Sequence, residues 1–170
     1  MGVVRACPFE FHPLSTDALL GSLAHHTRPA CIEETFVRGG TVHFLASFFG
    51  LGWAYLGGSV LFALMHLGNP WFTYEHLVCI SAAGLMLSTV YIEYGLLAAI
   101  GVHFAWNVLS WYLIVSLQWK EVGGLAALEG DWTTTLIMLI ATLAVVVVSR
   151  RHKPTQHAAA QPLTNEETIA

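Results

Sequence analysis

Ionisable and amide side chains interrupt the long apolar stretches of this chain at three places. These are IEETFVRGG at 32–40, SVLFALMHLGNP at 59–70 and AIGVHFAWNVLSW at 99–111. Such groups are costly inside apolar segments, so they usually serve a function. Together the three segments supply a carboxylate pair, two histidines and an asparagine, which are the components of a hydrolytic site.

The first segment combines two carboxylates with a cation. Glu34 and Arg38 are four residues apart, so on a helix they share a face and can form an ion pair. Glu33 points about 100° away and can face a different environment. A carboxylate that its neighbours do not neutralise suits a general base. The alternative is a solvated helix start, with acidic residues at the positive end of the helix dipole.

The other two segments place histidines on separate helices. His66 ends an apolar run one turn after Phe62, and His103 shares a helix face with Asn107. Neutral imidazoles can bind Zn²⁺ and leave a position for water. A carboxylate can deprotonate that water, and an amide can donate to the developing oxyanion. A structural histidine and simple hydrogen bonds between helices are the alternative.

Other hydrolytic signatures are missing from the sequence. It contains no HExxH zinc motif, no GxSxG nucleophile motif and no pair of aspartates within an apolar stretch. The three cysteines form no CxxC pattern and no disulfide framework. These absences argue against soluble zinc proteases, serine hydrolases and aspartyl intramembrane proteases.

The composition indicates what must position these groups. Of the 170 residues, 55% are hydrophobic and only 11% are charged, and the mean hydropathy is +0.61. Soluble domains carry about 25% charged residues, so the chain is an integral membrane protein surrounded by lipid. The net charge is −4, which excludes a basic field for nucleic acid.

The predicted fold class is all-α, a polytopic transmembrane helix bundle with about five membrane-embedded helices. Backbone in lipid must satisfy its own hydrogen bonds, and about 20 apolar residues cross the bilayer. The run LIMLIATLAVVVV lacks the alternation that a barrel strand requires. The predicted helices cover residues 31–50, 53–68, 76–92, 95–118 and 133–149.

This arrangement makes a demanding prediction about depth. Glu33 would begin one helix and His66 would end the next, so both would lie near the same membrane face. His103 would lie about 12 Å into a helix that enters from the opposite face. Convergence therefore requires a tilted or broken helix, near Gly39-Gly40 or near 50–52.

Four segments are expected along the chain. In the first of them, the polar leader, Ser15-Thr16-Asp17 can cap a short interfacial helix. A loosely ordered leader is equally compatible with the composition. Basic residues after the last span predict that the C-terminus is cytoplasmic. The expected location of the protein is the plasma (inner) membrane. The segments are a polar leader (1–28), a catalytic helical core (29–118), an additional transmembrane helix with its preceding loop (119–149) and a disordered cytoplasmic tail (150–170).

At these residues the sequence resembles the CPBP family of intramembrane proteases, which includes CAAX prenyl endopeptidases and bacteriocin-immunity (Abi) membrane proteins. The family pattern is EExxxR, then FxxxH, then HxxxN, each on its own helix. In this chain it reads Glu33-Glu34-Thr-Phe-Val-Arg38, then Phe62-Ala-Leu-Met-His66, then His103-Phe-Ala-Trp-Asn107. The resemblance covers about residues 29–115.

The resemblance implies a role for each motif residue. Glu33 would activate the attacking water, and Glu34 and Arg38 would orient and support it. His66 and His103 would hold the metal or the water. Asn107 would stabilise the oxyanion, and Phe62 would pack beside His66. Zn²⁺ is the implied cofactor, and metal-free glutamate catalysis remains the other reading of the family.

Three functions are compatible with these features. The first is an intramembrane endopeptidase that acts on a peptide or membrane-protein substrate. The second is a non-catalytic interaction protein, such as a bacteriocin self-immunity factor or a scaffold. The third is a small transporter or channel subunit. Family members usually carry two or more spanning helices before the first motif, where this chain has its polar leader, so an oligomer is one way to complete the bundle.

Overall fold

The computed structural model describes residues 13–70, 72–116 and 131–152, and all regular structure in these ranges is helical. Outside the described ranges lie residues 1–12 of the predicted leader, residue 71, residues 117–118 of the predicted helix 95–118, residues 119–130 of the predicted loop and residues 153–170 of the predicted tail. The elements are α1 (Thr16–Glu34), a π-helical segment (Thr35–Val42), α2 (His43–Phe49), α3 (Leu51–Met65), α4 (Tyr74–Tyr94), α5 (Leu96–Ser116) and α6 (Trp132–His152).

The first helical run begins well before the predicted start at residue 31. Ser15 caps α1, and its side chain accepts a hydrogen bond from the Ala18 amide at 3.2 Å. The run continues through the π-helical segment into α2 and ends only at Gly50, whose φ of 89° suits glycine. The prediction that Glu33 begins a helix is therefore wrong, since Glu33 lies in the interior of a long one.

The π-helical segment follows the two glutamates directly. In a π-helix each amide donates to the carbonyl five residues earlier, and the His43 amide does so to the carbonyl of Arg38. The run stays helical through Gly39-Gly40, so the break occurs at the second of the two predicted places, Gly50, and not at the first. The wider turn places Arg38 and Val37 in the protein interior, where both are fully buried.

Helix α4 lies at the centre of the bundle and packs against α3, α5 and α6. Small residues allow α3 and α4 to approach closely. A Cβ placed on Gly84 would lie 2.9 Å from the Ser59 Cα, so a glycine is required at this contact. On the far side of the site, α1 packs against α5.

The described helices confirm a helical membrane bundle. Three of them are long and apolar enough to cross a membrane, namely 74–94, 96–116 and 132–151, and Leu51–Met65 is a shorter apolar helix. Large apolar side chains such as Leu97 and Leu143 cover the outer surface of these helices. The predicted helices 76–92, 95–118 and 133–149 correspond to α4, α5 and α6, and 53–68 corresponds to α3.

Candidate active site

A buried ion pair lies at the core of the site. Arg38 Nη1 donates to Glu34 Oε1 at 2.9 Å, and both side chains are completely buried. The four-residue spacing therefore forms the pair that the sequence predicts. The alternative of a solvated helix start is wrong for Glu34, because this carboxylate lies inside the protein.

Arg38 connects this pair to two other helices. Its Nη2 donates to the Gly84 carbonyl of α4 at 3.1 Å. Its guanidinium carbon lies 4.4 Å from the centre of the Phe62 ring on α3, in a cation–π contact. One cation thereby fixes the long first helical run against α3 and α4 at the level of the two glutamates.

His103 approaches both glutamates from α5. Its Nδ1 lies 2.7 Å from Glu34 Oε1, and because a carboxylate only accepts, the ring donates from this nitrogen. Its Nε2 lies 3.9 Å from Glu33 Oε2, which is too far for a direct hydrogen bond. Glu33 Oε2 is buried and has no hydrogen-bond partner among the described residues. Glu33 therefore keeps an oxygen available beside the histidine.

His66 is oriented by its own helix. Its Nδ1 donates to the Phe62 carbonyl at 2.8 Å, which leaves Nε2 available. The Phe62 ring lies between the two histidines, with its centre 4.8 Å from that of His66 and 5.6 Å from that of His103. The second and third motifs therefore meet at Phe62, which packs beside His66 as the resemblance implies.

A cavity of about 50 Å³ is lined by three of the predicted polar residues, His66, His103 and Asn107. A buried water needs about 10–15 Å³ by the same kind of measure, so the cavity accommodates a few water molecules but no peptide. The rest of the lining is mostly apolar and consists of Phe62, Cys79, Ile80, Ala83, Met86, Leu87, Trp106 and Met138.

Glu33 is not among the residues that line this cavity. It opens instead into a surface depression of about 450 Å³ that is also lined by His25, Arg28, Pro29 and Ile32. His103 lies between the cavity and Glu33, since its ring lines the cavity and its Nε2 is 3.9 Å from Glu33 Oε2. The structure thus brings Glu33, Glu34, Arg38 and His103 together, and it places His66 and Asn107 on the cavity side of His103.

The donor atoms of the site fit Zn²⁺ in type. Each histidine donates through Nδ1, His66 to the Phe62 carbonyl and His103 to Glu34, and ligating histidines are commonly held in this way with Nε2 left for the metal. Two imidazoles are fewer than the three protein ligands usual for catalytic zinc. Within 13–70, 72–116 and 131–152, no group of three or more His, Cys, Asp or Glu side chains is placed to hold a metal ion.

Residues 16–109 match the family model described as type II CAAX prenyl endopeptidase, Rce1-like. The chain belongs to this family. The match includes all three motifs and ends before α6, and it extends the resemblance seen in the sequence back to the start of α1. No curated protein and no solved structure shows significant similarity to the chain.

Membership in the CAAX endopeptidase family makes this chain a membrane-embedded protease at the family level, with a peptide substrate and a lipid environment. The motifs did not predict several neighbours of the site, among them the Gly84 carbonyl, Cys79 and Met138. None of them has a local signature, because each enters the site only through the packing of α4 and α6.

Proposed function

We propose that this CAAX endopeptidase family member hydrolyses a peptide bond with a water molecule that Glu33 activates. The observation that carries the proposal is the hydrogen bond of 2.7 Å between His103 and Glu34, which joins residues 69 positions apart in a buried setting. It holds the third motif against the first, and beside His103 Nε2 the Oε2 atom of Glu33 has no hydrogen-bond partner within the described part of the chain.

In the proposed reaction, Glu33 takes a proton from water while the water oxygen bonds to the scissile carbonyl carbon. The carbon–nitrogen bond then breaks, and the proton on Glu33 passes to the leaving amine. Arg38 neutralises Glu34, so that Glu34 can orient His103 without repelling the charge of Glu33. Asn107 would donate its amide N–H to the oxyanion.

A Zn²⁺ ion is part of the proposal, and Nε2 of His66 and Nε2 of His103 would hold it. When bound, it would polarise the scissile carbonyl and make the water more acidic. The cavity beside these nitrogens is too small for a peptide, so a substrate backbone that enters past Glu33 would have to widen it until the scissile carbonyl reaches His66, His103 and Asn107.

The test compares new protein N-termini in membranes that contain the wild type, Glu33→Gln, His66→Ala or His103→Ala at matched expression. His43→Ala is the matched control, because His43 is an exposed histidine outside the site. We expect a set of termini that the wild type and the control both produce and that the three site variants lose. Identical termini from the wild type and folded Glu33→Gln would refute the catalytic role of Glu33.

One observation favours the non-catalytic interaction protein as the second candidate. Glu33 lies outside the cavity that contains His66 and Asn107, so the three groups do not surround one reacting atom in this arrangement. In that case the buried Glu34–Arg38 pair acts only as a structural link between helices. The same experiment separates the candidates, because a scaffold produces no termini that depend on Glu33.

A further inference from the structure

A line of unsatisfied polar atoms runs along α1 towards Glu33. Ser22, His26, Pro29 and Glu33 form what we call the α1 polar stripe, and at 100° per residue they fall within about 60° of one another around the helix. Ser22 Oγ, His26 Nε2 and Glu33 Oε2 are all buried without a hydrogen-bond partner in the described structure. Buried polar atoms normally have a partner, so three along one line indicate bound water.

Pro29 removes one backbone donor from the stripe. Proline has no amide hydrogen, so it cannot donate the helical hydrogen bond that the carbonyl of His25 would otherwise receive. That carbonyl lies close to the level of His26 along the helix axis. Polar groups therefore occur at the levels of Ser22, His26 and Glu33, over a distance of about 16 Å at 1.5 Å per residue.

Two surface depressions follow the same line and share His25. The first, of about 350 Å³, is lined by Ser22, His25 and His26, and Trp111 of α5 forms its wall. The second, of about 450 Å³, is the depression lined by His25 and Glu33. Both depressions lie beside α1 and share His25 as a wall, so they flank the α1 polar stripe from Ser22 to Glu33.

We propose that the α1 polar stripe carries water from the N-terminal end of α1 to Glu33. A hydrolase among apolar helices needs such a route, because each turnover consumes one water. The stripe begins near the capped start of α1 and ends at the carboxylate that the proposed function assigns as the base, and the inference rests on that function for its catalytic consequence.

His26 has the properties of a relay within this route. Burial, and to a smaller extent the neighbouring His25, lower the pKa of His26. Its ring is therefore neutral at neutral pH, and a neutral imidazole both accepts and donates a hydrogen bond. The edge of His25 lies against this ring with 5.0 Å between centres, and Trp111 lies 6.4 Å away on the other helix.

The first arm of the test measures water directly and needs no activity. Single cysteines replace Ser22 or His26 in a chain whose native cysteines are serine, and they react in membranes with a small, charged methanethiosulfonate. Leu109→Cys is the control, because this position is 52% exposed on the apolar outer surface of α5. We expect the stripe positions to react at least about tenfold faster, although Ser22 is only 5% exposed. Equal or slower reaction at the stripe would overturn the route.

The second arm links the route to catalysis. His26→Leu removes the relay without touching Glu33, and we expect kcat to fall at least about fivefold with KM unchanged. His26→Gln, which keeps a donor and an acceptor, should restore most of kcat. A purely structural role would instead affect both variants alike, and that result would contradict the proposal. If no variant or wild type cleaves any peptide while the labelling contrast persists, the water route stands and the proposed protease function fails.

Discussion

Breaking the buried Glu34–Arg38 pair should destabilise the bundle strongly. Arg38→Met keeps a long side chain but removes the cation that lies 2.9 Å from Glu34, the bond to the Gly84 carbonyl and the contact with Phe62. Glu34 is then left charged and fully buried, with His103 as its remaining partner. Removing one partner of a buried ion pair costs about 3–5 kcal/mol, which lowers the folding equilibrium constant by more than about a hundredfold.

The double variant Glu34→Gln/Arg38→Met separates the charge effect from packing. It has no buried charge at this place, and the glutamine side chain can still accept from His103. We therefore expect the double variant to be more stable than Arg38→Met alone, with a coupling of about 0.5–3 kcal/mol or more between the two positions.

The four proteins of this double-mutant cycle are the wild type, Glu34→Gln, Arg38→Met and the double variant. Their free energies of unfolding are measured on purified protein in mixed detergent micelles, with circular dichroism reporting the helix content. Asp17→Asn is a matched control, because Asp17 is an exposed acid in the first turn of α1. The reasoning is refuted if Arg38→Met loses less than about 1 kcal/mol, or if the losses of the two single variants simply add in the double variant.

Further predictions follow from the packing and the site. Gly84→Ala should destabilise the bundle by about 1–3 kcal/mol in the same unfolding assay, since its Cβ would meet α3, whereas Gly101→Ala, with no neighbour within 4 Å, should be neutral or slightly stabilising. A chelator should abolish peptide cleavage by the wild type, and added Zn²⁺ should restore it; full activity in the chelator would contradict the metal part of the proposal alone. His103→Ala should reduce peptide cleavage more than His66→Ala, because only His103 lies beside Glu33; the reverse order in kcat would argue that the cavity side carries the chemistry.

The sequence predicted most of the helices, because helix existence depends on the length of apolar runs and on local turn residues. The segments α4, α5 and α6 appear close to their predicted bounds. The predicted cap at Ser15 is confirmed, but the helix that it begins was not expected to continue into the first motif, because residues 16–30 carry histidines, a proline and charges that look like a polar leader. Packing against α5 stabilises this segment as a helix, and no local pattern reports that contact.

The candidate site residues were chosen from the sequence by the type and spacing of a few polar groups. Four-residue spacing alone places Glu34 beside Arg38, and the structure has this pair. The orientation of the C-terminus, the membrane in which the chain resides, its oligomeric state and the bound metal stay predictions. The roles of Glu33, His66, His103 and Asn107 also await the experiments above.

What the sequence by itself determined is the class of the protein and the set of groups it brings to its site, because composition and short motifs are local properties. Only the tertiary structure decided which groups meet. Glu33 lies in the interior of a long helix, and His103 forms its hydrogen bond with Glu34. Glu33 is separate from the cavity that His66 and Asn107 line. These outcomes depend on the rotation and depth of whole helices, which are set by contacts such as Gly84 against Ser59, between residues far apart in the chain.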